Sequence, residues 1–95
     1  EKVPPFIYFS GKKLLVLNNT ERLPYFDGSL RVDIVILSKN APFSIARLHA
    51  QLDCPQYVFD ASNASWKIRE WKNECDSLHL RRHSVQDDGA FVLDF

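Results

Sequence analysis

Two long apolar runs within Gly28 to Asp53, GSLRVDIVILSKNAPFSIARLHAQLD, are joined by a Ser-Lys-Asn-Ala-Pro connector, and no other stretch limits the fold so tightly. Side chains alternate along a strand, so Leu30, Val32, Ile34 and Ile36 share one face while Arg31, Asp33 and Val35 share the other. Arg31 and Asp33 make that second face wet. The alternation is lost at Val35, Ile36 and Leu37, which predicts a centre over Ile34 to Leu37 covered on both sides. Pro42 has no backbone donor and biases Ala41 away from helix, so Lys39 to Pro42 reads as a connection. Beyond it, Ala46, Leu48, Ala50 and Leu52 alternate with Arg47, His49 and Gln51. An amphipathic helix is the rival for Phe43 to Leu52, because Ala, Arg, Leu and Gln are good helix formers. Seven residues of strict alternation favour the strand.

The rest of the chain reads the same way. Phe6 to Phe9 predicts a first strand after the stiff Pro4-Pro5 entry, and Ser10 to Lys13 a turn into a second, Leu14 to Leu17. Asn18 to Gly28 carries turn chemistry, with Leu23, Tyr25 and Phe26 able to fold back on a core. Tyr57 to Phe59 predicts a strand and Asp60 to Ser65 a loop. Trp66, Ile68 and Glu70 alternate with Lys67, Arg69 and Trp71; Leu78 and Leu80 alternate with His79 and Arg81; Phe91, Leu93 and Phe95 follow the Asp87-Asp88-Gly89 turn. The expectation is therefore an all-β, immunoglobulin-like antiparallel β-sandwich of about seven to eight short strands, filling residues 1–95 as one domain excised from a longer protein.

Composition narrows the function. Hydrophobic residues make up 45%, with seven Phe, two Trp and three Tyr, enough to build a core. Twelve basic residues balance twelve acidic ones, which argues against a nucleic-acid partner and against anionic lipid as a partner. No apolar run reaches the ~20 residues that cross a bilayer, so no direct membrane insertion is expected, and EKVPPFIYFS lacks a signal-peptide layout. Cys54 and Cys75 read as free thiols by default, although each lies at the end of an apolar segment where a bridge is possible. Asn18-Asn19-Thr20 and Asn63-Ala64-Ser65 fit the glycosylation triplet, which matters only outside the cell.

Chemistry-bearing clusters are sparse. His49, His79, His83, Cys54 and Cys75 fall in no paired metal-ligand spacing, so no metal, cofactor or catalytic residue is assigned. Asp87-Asp88 before a glycine is ordinary turn chemistry. Trp66 and Trp71 read as packing rather than a stacking platform. The densest charge feature is Arg81, Arg82 and His83, which His79 adjoins and which Arg47 and His49 could join from another strand. These six residues are the candidate partner-binding surface.

The strand ending in SKNAPFSI, with Asn40 and Pro42 before ARLHAQL, the tryptophan segment, and the Gly89, Phe91, Leu93, Phe95 run resemble immunoglobulin-like modules of vesicle-trafficking proteins. Such modules occur in the large subunits of TRAPP tethering complexes and in clathrin-adaptor appendages. The resemblance spans Ser29 to Phe95 and transfers no site. It implies a non-enzymatic scaffold that binds protein partners within a larger assembly in membrane trafficking and vesicle tethering, in the cytoplasm at Golgi or vesicle surfaces. The alternative is an extracellular adhesion or receptor domain with a Cys54–Cys75 disulfide and glycans on Asn18 or Asn63; a metal-dependent or enzymatic domain using the histidines is a third.

Overall fold

The computed structural model describes residues 6–9, 11–19 and 30–89. The features expected at Pro4-Pro5, at Phe91 to Phe95 and over most of Asn18 to Gly28 lie outside them. In chain order the elements are β1 (Phe6–Phe9), β2 (Lys12–Leu17), β3 (Leu30–Arg31), β4 (Ile34–Leu37), α1 (Ile45–Gln51), β5 (Leu52–Asp53), β6 (Gln56–Phe59), α2 (Ser65–Ser77), β7 (Arg81–Ser84) and α3 (Val85–Asp88). Five strands form one sheet in the order β1-β2-β4-β6-β7, while β3 and β5 make a separate two-residue pair. The β1-β2 hairpin is antiparallel and turns through Gly11, whose φ of +77° suits a residue without Cβ. From β2 onward every pairing in the sheet is parallel.

The architecture is mixed α/β, which corrects the all-β, immunoglobulin-like sandwich expected from the sequence. Two segments read as strands are helices, and both errors have the same origin. In α1 the buried positions are Ile45 and Leu48, continued by Leu52, a spacing of three and then four. The apparent alternation counted Ala46 and Ala50 as inward, yet both are exposed. Alanine carries little side-chain information. The helix is also capped twice: the Ser44 hydroxyl accepts from the Arg47 amide at 3.1 Å, and Glu74 of α2 accepts from the Ile45 and Ala46 amides at 3.0 and 3.5 Å.

Helix α2 buries Ile68, Trp71 and Cys75, again three and four apart. Strand reading had put Ile68 and Trp71 on opposite faces. The helix ends in a Schellman turn, where the amides of His79 and Leu80 donate to the carbonyls of Asp76 and Cys75 at 3.3 and 2.8 Å. That motif needs a left-handed residue, and His79 supplies it with φ of 58°. The predicted Leu78 to Arg81 alternation is therefore a helix terminus followed by β7.

Register explains the core. Leu15, Val35 and Tyr57 lie side by side, as do Leu17, Leu37 and Phe59, and these pack beneath Ile45, Leu48, Ile68, Trp71 and Cys75. The Phe59 and Trp71 rings sit 5.2 Å apart, and Trp71 Nε1 donates to the Phe43 carbonyl at 2.9 Å. On the opposite face Leu14, Ile34 and Val58 form a second cluster with Ile36 and Val85. Ile34 to Leu37 is thus covered on both sides, as its apolar run predicts. Val32 joins the helix-side core although two residues from Ile34, because the chain bends at Asp33, whose carboxylate accepts from the Lys13 amide at 2.8 Å.

Candidate functional site

Because β2, β4, β6 and β7 run parallel, their carboxyl ends lie along one edge of the sheet, the usual place for binding loops in α/β proteins. Two of those loops are stitched together. Ser38 Oγ donates to Asp60 Oδ2 at 2.5 Å, the Lys39 amide donates to Ser62 Oγ at 2.7 Å, and the Asn40 amide donates to Asn63 Oδ1 at 2.8 Å. In return the Ala64 amide donates to Asn40 Oδ1 at 2.7 Å. Buried Asn63 completes the lock by donating Nδ2 to the Leu37 and Asp60 carbonyls at 2.8 and 3.0 Å.

Lys39 and Asn40 pay a conformational cost to sit here, with φ of 51° and 53° in the left-handed region. The stitching bonds hold them there and leave both residues exposed. Next to them α2 begins at Ala64, which forms no side-chain cap, so the positive end of the helix dipole faces the same edge. In its first turn Trp66 is 58% exposed, and the Lys67 ammonium lies 5.6 Å from the Trp66 ring centroid and 5.5 Å from that of Trp71. A cleft of about 230 Å³ continues the surface between Ser65, Arg69, Lys72, Gln86 and Asp87. Gln86 pins α3 to the loop by donating to the carbonyls of Ala61 and Asn63 at 3.1 and 2.6 Å. Lys72 pairs with Asp87, and its hydrogen bond holds that carboxyl below its ordinary range.

The six residues singled out by sequence lie elsewhere. Arg47 and His49 are exposed on α1, His79 is the left-handed terminus of α2, and Arg81, Arg82 and His83 are on β7. Arg82 Nε donates to Asp76 at 2.9 Å, and that hydrogen bond lowers the Asp76 carboxyl. His83 Nε2 is 2.8 Å from the Gly89 carbonyl. Sequence reasoning missed Ser38, Lys39, Asn40, Asp60, Ser62 and Asn63. Their signal was present in SKN and DASN, two short polar runs that each follow an apolar strand, and it becomes meaningful only when the strands are parallel.

Both cysteines are free and buried. Burial pushes the Cys54 thiol up to about 11 and the Cys75 thiol up to about 12. Cys54 Sγ donates to the Gln56 carbonyl at 3.1 Å. Burial also raises the Tyr57 hydroxyl, which finds no hydrogen-bond partner among the described residues.

Against known proteins, the family model of the ComEC C-terminal domain matches residues 2–95. The chain belongs to that family. No curated protein and no solved structure matches it. ComEC is a competence family of DNA uptake whose members are bacterial inner-membrane proteins. Membership overturns the trafficking resemblance, together with the vesicle-tethering scaffold, its Golgi or vesicle location and its purely protein partners. It also overturns the expectation of no nucleic acid and no direct membrane insertion, which rested on neutral net charge and the lack of an apolar span. Charge balance describes the chain as a whole and is blind to a local site, and insertion is a property of the family's proteins. Among the described residues no helix is long and apolar enough to cross a membrane. The extracellular alternative falls as well: its disulfide is two free thiols, and the Asn63 amide that a glycan would need is buried in hydrogen bonds.

Proposed function

We propose that this ComEC-family domain serves DNA uptake by holding a single strand along the carboxyl edge of its sheet. The observation that carries this reading is the exposed Trp66 flanked by Lys67 in the first turn of α2, beside the stitched Lys39-Asn40 turn. A base stacks on the indole face irrespective of sequence, while Lys39, Lys67 and the start of α2 meet the flanking phosphates. Stacking contributes roughly 1–3 kcal/mol per base, so one stacked base with two phosphate contacts gives an affinity on the order of millimolar. Weak contact suits a strand that must keep moving, and attachment to a larger protein raises the effective concentration. The role is binding rather than catalysis.

Quenching of tryptophan fluorescence by oligo-dT tests the proposal, since Trp66 is exposed and Trp71 is buried. Two phosphate contacts predict a slope of about −1.4 in log affinity against log salt. Followed by oligo-dT-induced amide chemical shifts, which do not need the indole as reporter, Trp66→Ala should weaken binding about tenfold, as loss of ~1.4 kcal/mol of stacking requires. Equal binding by Trp66→Ala and the unaltered chain would overturn the reading.

A further inference from the structure

The ComEC C-terminal domain family is metallo-β-lactamase-like, which implies a metal centre, and the donors among the described residues do not fit one. We infer that this domain does its work without a bound metal ion. A hydrolytic metal site takes three protein ligands from neutral His nitrogen, carboxylate oxygen or thiolate sulfur, with donor atoms directed at one point. Among the described residues no three His, Cys, Asp or Glu side chains are placed to do so.

The reason is visible in what each carboxylate at the carboxyl edge already does. Asp60 accepts from Ser38 Oγ on one oxygen and from the amide and hydroxyl of Ser62 on the other, at 2.5, 3.0 and 2.5 Å. Asp87 is paired with Lys72, and Asp88 accepts from the Ser84 amide at 3.0 Å. The neutral oxygens between the loops are equally committed: Ser62 Oγ, Asn63 Oδ1 and Asn40 Oδ1 accept from the amides of Lys39, Asn40 and Ala64. A cation entering here would have to break the bonds that hold the two loops together. Lys39 and Lys67 instead bring positive charge of the chain's own.

The nitrogen and sulfur donors gather at no site either: His83, on β7 near the carboxyl edge, has Nε2 2.8 Å from the Gly89 carbonyl, and no two further donors are grouped with it among the described residues. His49 ends α1 and His79 ends α2, and helices that cross between parallel strands return toward the amino edge of the sheet, away from Asp60. Cys54 and Cys75 are buried thiols whose raised ionisation keeps them protonated near neutrality. The inference stands on this donor set and is independent of the strand-binding proposal.

The test is equilibrium dialysis of the full 95-residue chain against zinc and, separately, manganese, followed by elemental analysis and thermal unfolding with and without EDTA. The expected result is no stoichiometric metal, with an unfolding midpoint that EDTA leaves in place. One equivalent of either ion retained through dialysis, or a midpoint that falls with EDTA and recovers with the ion, would overturn the inference. Oligo-dT quenching in the same samples separates the two claims: absent quenching strikes the strand-binding proposal alone, and quenching that requires zinc or manganese strikes this one.

Discussion

Replacing Asn63 by alanine deletes four hydrogen bonds at one point: Nδ2 to the Leu37 and Asp60 carbonyls, a long one of 3.4 Å from Nδ2 to Asp60 Oδ1 that adds little, and the Asn40 amide to Oδ1. Each of the other three contributes about 1 kcal/mol net. The Leu37 carbonyl keeps a second partner in the Asp60 amide at 3.2 Å, and the Asn40 amide belongs to an exposed residue that water can serve. The expected loss is therefore about 2–3 kcal/mol rather than a larger burial penalty. In a domain of this size that lowers the thermal midpoint by roughly 10–20 °C. Urea unfolding followed by the fluorescence of buried Trp71 measures it directly. Asn63→Asp is the sharper companion, because it keeps the acceptor for Asn40 but sets a carboxylate against two carbonyls. Burial and those carbonyls would raise its folded-state pKa above the unfolded value of about 3.9. Stability is then retained below the unfolded pKa and lost as pH rises through the folded one, so the deficit relative to Asn63 should shrink on going from about pH 7 to about pH 4. An alanine variant within about 0.5 kcal/mol of the parent, or an aspartate deficit that is flat with pH, would refute the stitched-loop account.

Other parts of the fold give independent checks. His79→Gly should stabilise the domain by about 1 kcal/mol, because the Schellman turn needs φ near 58° and glycine reaches it without Cβ strain; calorimetry showing a lower midpoint would contradict this. Glu74→Ala should cost about 1 kcal/mol by uncapping α1, whereas Glu74→Gln keeps a neutral acceptor and should cost less, as denaturant midpoints will show. With Cys54 pushed up to about 11 and Cys75 up to about 12 and both buried, a thiol reagent near neutral pH should label neither in the folded chain and both in denaturant; rapid labelling of the folded chain would count against the packing.

The strands were legible where packing dictates residue type. Ile34 to Leu37 and Tyr57 to Phe59 are dense in aromatic or β-branched residues and form central strands, because a doubly covered sheet accepts little else, while Phe6 to Phe9, an edge strand with Ile7 and Tyr8 exposed, follows from strand propensity alone. The helices were hidden by ambiguity in short segments. Ala46 and Ala50 matched an alternating pattern at no cost, while the Glu74 cap that secures α1 comes from a residue 29 positions after Ile45. Likewise Trp66 and Trp71 look equivalent in sequence, yet one is exposed and the other is core, a difference set by helical phase. The candidate site was the least legible. Its residues come from two loops joined across 22 to 24 positions, and only a parallel sheet places those loops on one edge.

The most direct test of the account is an amide chemical-shift map of the 95-residue chain titrated with oligo-dT. The account predicts saturable shifts confined to Lys39, Asn40 and the Ala64–Lys67 turn, with the Trp66 indole among the largest. Shifts centred on Arg81 to His83 of β7 and Arg47 and His49 of α1, or none at any residue, would contradict it.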